Sequence, residues 1–157
     1  MNLIEIQRIR VREGALDLEV EMPVDALHVT QEQAGRVLGL LPNLAHHVCV
    51  NGAGDGSFGD ELVGTELAHL LEHLIIELQG KATPQGADLM GHTSWLEELE
   101  VTAPQGYALM RTTVSFSNDF VALGAMRCAL EIIDWASGPD EDVTPDVGGM
   151  IAFLAAM

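Results

Sequence analysis

Basic residues are scarce in this chain. Seven lysines and arginines, with Lys81 the sole lysine, stand against 24 acidic residues, and the formal net charge is −17. Nucleic acid and anionic membrane surfaces repel such a chain, so neither is an expected partner; a cationic ligand, or solubility alone, suits it. Aromatic residues make up 4% of the sequence while 48% is hydrophobic, which predicts an aliphatic core. Two cysteines, Cys49 and Cys128, are too few and too far apart for a disulfide framework or a C-x-x-C site, and a reduced cytoplasm is the expected location. No apolar run reaches membrane-spanning length; the closing "MIAFLAAM" is less than half of one. The opening "MNLIEIQRIRVREG" is charged and alternating, unlike a signal peptide.

A chain of 157 residues has room for one domain with a real core. "NLIEIQRIRV" and "ALDLEVEM" alternate apolar and polar residues around Glu13-Gly14, which predicts a hairpin ended by Pro23. Thr30 with Gln33 reads as a capping box for a helix over 31–41. "HHVCVN" is a short strand candidate, and 51–65 is a glycine-rich loop without the spacing of a phosphate-binding loop. Thr65 and Gly80 bracket a helix; "KATPQGADLMGHTSW" reads as loop, and "WLEELEV" as a helical turn or the start of a strand. "YALMRTTVSFS" reads as a strand, followed by a helix capped at Asn118 or Ser117 and closed by Gly138-Pro139. The expected class is α+β: a mostly antiparallel sheet with two long helices packed on one face. Residues 1–137 are expected to form the domain, with 138–157 an acidic linker and an apolar tail.

The chemistry concentrates in "GTELAHLLEHLIIELQG", Gly64 to Gly80. At about 100° per residue, Leu67, Ala68, Leu71, Leu74, Ile75 and Leu78 share one arc suited to packing on a sheet. Glu66, His69, His73 and Glu77 form a stripe on the other side, with Glu72 at its border. Histidines at i and i+4 point the same way and can grip one metal ion; a glutamate beside them can take a proton from metal-bound water. The order H-x-x-E-H is similar to that of inverzincin, pitrilysin-type peptidases. A catalytic zinc needs a third protein ligand, and the spacing leaves it open among Asp119, Glu131, Glu77 and Cys49. Glu66 and Glu77 are also placed to orient the imidazoles.

The flanking residues carry a wider likeness. His47 with Cys49, Gly56-Ser57-Phe58, Gly64-Thr65, His69-Leu70-Leu71-Glu72-His73 and Glu77-Leu78-Gln79 together resemble the N-terminal domain of cyanophycin synthetases. "TTVSFSNDFVALGAMRCAL" looks like the strand and helix that follow in that domain, where an acidic residue opens the helix at the place of Asp119. The resemblance therefore puts Asp119 first as third ligand. One departure is Ser57, where the family pattern has a second glycine. In the family this domain precedes an ATP-grasp and a Mur-ligase-like domain; no P-loop occurs here, so ATP-driven synthesis is not expected. What the resemblance implies is binding of an Asp-Arg polymer and, as in some members, metal-dependent hydrolysis of it. His69 and His73 would be zinc ligands, Glu72 the general base, and His47, Ser57, Phe58 and Thr65 substrate-binding residues. The alternative is a non-catalytic binding module of the same fold, with the apolar tail as a homo-oligomer contact.

Overall fold

The computed structural model describes residues 3–49, 56–84, 88–139 and 143–157. Val50 and Asn51, the middle of the glycine-rich loop, part of the segment after Gly80 and part of the acidic linker lie outside the described residues.

Four strands form one antiparallel sheet in the order β1-β2-β4-β3: β1 is Glu5–Arg12, β2 Ala15–Pro23, β3 Gly91–Trp95 and β4 Tyr107–Ser115. The β1–β2 hairpin turns at Gly14, whose φ of +73° favours glycine. The alternation read in β2 is an inside/outside alternation. Leu16, Leu18, Val20 and Met22 are buried, and Asp17 points outward to meet Arg12 at 2.6 Å. Ala108, Met110, Thr112 and Val114 continue the inner face on β4.

That face is covered by α3, Leu67–Ala82, and α4, Asp119–Ser137. The fold is thus α+β with both long helices on one side of the sheet. The shorter helices are α1 (Gln31–Leu40), α2 (Phe58–Glu61) and α5 (Val147–Ala155). Both halves of the Thr30–Gln33 capping box form, and the Asn118 side chain caps α4. α1 packs on α4, where the Arg36 guanidinium lies 4.3 Å from the Trp135 ring. The apolar tail is helical: α5 rests on α3 and α4 with Leu154 fully buried. No helix among the described residues is long and apolar enough to cross a membrane.

Three local expectations need correction, and one open alternative is decided. The described part of "HHVCVN" is not a strand; Pro42–His46 is a 3-10 helix, and Val48 makes only a single bridge to Ser57. The proline presets the backbone for that turn. "GHTSW" is β3 rather than loop, held by pairing with β4. "WLEELEV" resolves as a 3-10 turn over Leu96–Leu99. Glu66, not Thr65, occupies the N-cap of α3, and that helix runs past Gly80 to Ala82.

Candidate metal centre

α3 is buried on both sides. Its aliphatic arc meets β4 and α4, as the helical sorting predicts. Its polar stripe is covered too: His69, Glu72, His73 and Glu77 are all buried. The cover comes from the segment before α2 and from β3. Phe58 N donates to the His47 carbonyl at 2.7 Å and Cys49 N to the Gly56 carbonyl at 3.3 Å, which holds 47–49 over the stripe. α2 sits so tightly on the Pro42–His46 turn that a Cβ at Gly59 would lie 2.9 Å from the Ala45 Cβ and carbonyl oxygen. Phe58 is fully buried, stacked on His73 at 3.9 Å and edge-on to His69 at 5.1 Å. Its ring braces the imidazoles rather than facing a ligand.

Three donor atoms converge in the space so enclosed. His69 Nε2 lies 3.2 Å from His73 Nε2 and 3.5 Å from Cys49 Sγ. All three atoms fall within 4.8 Å of one another, and no other such group of His, Cys, Asp or Glu occurs among the described residues. Tetrahedral zinc, with bonds of about 2.05 Å to nitrogen and about 2.3 Å to sulfur, sets N···N near about 3.3 Å and N···S near about 3.6 Å. The donor set fits such an ion. Glu72 borders it, with Oε2 3.5 Å from His73 Nε2.

Residues 15–135 match the cyanophycin synthase-like N-terminal domain. The chain belongs to that family. No curated protein matches the chain at a significant level. The matched stretch contains all three donors and Glu72; all of β1 and all of α5 lie outside it.

Of the other residues expected at the site of this cyanophycin synthase-like domain, Thr65 and His47 bond to the imidazoles. Thr65 Oγ1 is 2.8 Å from His69 Nδ1, and His47 Nδ1 is 2.9 Å from His73 Nδ1. Glu77 Oε1 is 3.2 Å from His47 Nε2, one residue removed from the donors. Glu66 occupies the N-cap position of α3 without a side-chain capping bond, and receives the Thr65 hydroxyl at 3.4 Å. Ser57 takes part in the bridge to Val48. Asp119 and Glu131 are not in the group. The Asp119 carboxylate accepts from the Phe120 backbone at 2.9 Å at the start of α4, and Glu131 is exposed beside the α4–α5 groove. Cys49, not Asp119, lies with His69 and His73 in the donor group.

Three contributors had no distinct sequence signal. Thr93 Oγ1 donates to Glu72 Oε1 at 2.7 Å and lies 3.2 Å from Thr112 Oγ1, which donates to the Ala68 carbonyl. Gly91 passes so close to Glu72 that a Cβ there would lie 2.7 Å from its Cγ.

Burial sets the charge states. It pulls the His73 pKa down to about 3, and the neighbouring His69 and His47 add to the fall. His69 is lowered by burial against the opposing pull of Glu61 and Glu66. Both rings are therefore neutral near pH 7, the form that binds metal. Burial pushes Glu72 up to about 7, although the Thr93 hydrogen bond and His47 favour its ionised form. A carboxylate with that pKa exchanges a proton readily at neutral pH. A cavity of about 390 Å³ opens beside these groups, lined by His47, Cys49, His69, Glu72, His73 and the β3 edge with His92. A second of the same size lies on the Thr65 side of His69, with Glu61 and Glu66 in its wall.

Proposed function

We infer that this domain is a zinc-dependent amide hydrolase that binds and cleaves a cyanophycin-like or other arginine-bearing peptide polymer. His69, His73 and Cys49 hold the ion, and Glu72 is the general base. The observation that carries this reading is the convergence of two imidazole nitrogens and a thiol at ligand spacing beside a carboxyl titrating near neutrality. The H-x-x-E-H order is similar to the inverzincin arrangement, and two nitrogens and one sulfur would hold the ion with a position left for water. Zinc bound there would act as a Lewis acid and bring the pKa of such a water to about 7. Glu72 Oε2 receives the proton of the attacking water, and the same atom returns it to the departing amine. Thr93 keeps the carboxylate turned to the donors by holding Oε1. The net charge of −17 and the Glu61–Glu66 wall favour a guanidinium-bearing chain. A reduced cytoplasmic location keeps Cys49 free of disulfide and available to an ion.

A second reading, a non-catalytic binding module, draws on the groove of about 870 Å³ between α4 and α5. Exposed Phe120, Phe153 and Met157 border it, a surface suited to a partner or a second copy.

The test is metal content of protein purified without added zinc, followed by hydrolysis of arginine-bearing peptides. His69→Ala and Cys49→Ser are expected to lose the metal, and Asp119→Ala to keep it. Glu72→Gln is expected to keep metal and lose hydrolysis. Metal retained in His69→Ala removes the reading; metal lost in Asp119→Ala returns that residue to the ligand set. A wild type that binds zinc without cleaving leaves the second reading.

A further inference from the structure

Glu77 and His47 lie behind His73, away from the converging donor atoms, and the proposed chemistry does not use them. Both are held in place: Glu77 is buried, and His47 is wedged between it and His73. Glu77 Oε2 is buried without a hydrogen-bond partner, so a carboxylate here costs stability that an apolar residue would not. Such a residue needs a functional reason.

The hydrogen-bond logic supplies one. An ion held by His73 Nε2, the atom that faces His69 Nε2, requires that ring's proton on Nδ1. His73 Nδ1 faces His47 Nδ1 at 2.9 Å and then donates to it. His47 carries its own proton on Nε2, 3.2 Å from the accepting Glu77 Oε1, which completes the chain. Thr65 does the matching work for His69. Its hydroxyl donates to Glu66, so its oxygen accepts from His69 Nδ1.

We propose that Glu77 and His47 are positioning residues, a relay that fixes His73 in the Nδ1–H tautomer and so presents its Nε2 lone pair to the ion. The relay rests on the metal reading for its purpose, but not for its geometry. Partners of this kind behind a ligand histidine change metal affinity by about 10- to 100-fold.

Two measurements test it. In metal-free full-length protein, side-chain ¹⁵N NMR is expected to show His47 protonated at Nε2 and His73 at Nδ1. An Nε2–H form of His73 overturns the relay. Zinc affinity by competition with a chromophoric chelator is the second. Glu77→Gln, whose amide can present an N–H to His47, is expected to weaken binding about tenfold, and His47→Leu by up to about a hundredfold. His47→Asn, whose Oδ1 can accept from His73 Nδ1, is expected to retain most of the affinity, a rescue that a purely structural role does not give. Because Glu77 acts through the ring of His47, adding Glu77→Gln to His47→Asn is expected to cost nothing more. Losses that multiply overturn the relay, since independent sites add in free energy. If wild type takes up no zinc, the metal reading falls and the tautomer spectrum alone decides the relay.

Discussion

Replacing Gly91 with alanine puts a methyl group where Glu72 already is. The new carbon would lie 2.7 Å from Glu72 Cγ and 2.9 Å from both Cδ and Oε2. Non-bonded carbons rest at about 3.5–4.0 Å, so the two groups must part by about 1 Å. Glu72 has little room to retreat: it is buried, its Oε1 is bonded to Thr93, and its Oε2 is 3.5 Å from His73. The strand can yield only by disturbing the pairing of Gly91 with Val114. Overpacking of this kind costs about 1–3 kcal/mol. For a chain of this size that is a fall in Tm of about 2–12 °C. A shift of about 1 Å at a reacting group lowers rate by about a hundredfold. The three atoms nearest the new carbon all belong to Glu72, so zinc affinity is expected to be unchanged. Thermal unfolding of the metal-free protein, zinc competition and peptide hydrolysis give the three readouts. Gly80→Ala is the control: it lies within α3 with open space at its Cβ, and is expected to stabilise by about 0.5–1 kcal/mol. A Gly91→Ala protein with wild-type stability and rate would refute both the packing argument and the role of Glu72 as base. Loss of zinc would show that the methyl group's effect is not confined to Glu72.

Thr93→Val removes the hydrogen bond that favours ionised Glu72, so the Glu72 pKa rises above its value of about 7. The acidic limb of the kcat/KM profile is expected to move to higher pH, and an unmoved limb detaches it from Glu72. In metal-free protein, His73 and Glu72 oppose each other in stability against pH. Unfolded, they titrate near 6.5 and 4.5; folded, near 3 and 7. Between pH 4.5 and 6.5 each state holds one proton across the pair, so their joint contribution is flat there. Below 4.5 the unfolded chain holds one more, and stability falls by about 1.4 kcal/mol per pH unit toward pH 3. Between 6.5 and 7 the folded chain holds the extra proton, and stability falls as pH rises. Denaturant titrations of wild type, less those of a Glu72→Gln/His73→Asn variant, isolate this profile; a steady slope through the middle window contradicts the assigned shifts. Leu154→Ala, in the fully buried anchor of α5 beside Gly124, is expected to cost about 2–5 kcal/mol by chemical denaturation. A loss under about 0.5 kcal/mol, the range of an ordinary surface substitution, means that the tail does not pack.

What is local in this chain is legible from its sequence. The alternation of β2, the Thr30–Gln33 box, the Asn118 cap and the grouping of His69, Glu72, His73 and Glu77 all depend on residues within a turn or two of one another. What depends on tertiary contact is not. β3 has few strong strand formers, and its conformation comes from its pairing with β4. The polar stripe of α3 has the pattern of an exposed face, and nothing in its periodicity announces that 47–49 and β3 will bury it. Asp119 shows the limit of a family pattern: an acidic residue opening a helix also serves helix capping, and its carboxylate bonds to the backbone beside it. Cys49, twenty residues before His69, reaches the site only through the pairing of 47–49 with 56–58.

The burial of that stripe bears on how the site works. Four polar side chains of one helix are withdrawn from water, and two Nε2 atoms are held 3.2 Å apart. In the proposed tautomers Thr65 and His47 take the Nδ1 protons, and both facing nitrogens turn lone pairs toward the Cys49 thiol and the Glu72 carboxyl. Phe58 stacked on one ring, and the hydroxyl and imidazole behind the two rings, prevent either from turning away. Burying these polar groups draws on a stability of about 5–15 kcal/mol. Under the proposed reading, ion binding returns that energy, because a ligand that binds only the folded state stabilises it. Without that ion the buried, half-satisfied Glu77 is left without a function, so the relay and the metal centre explain each other's cost.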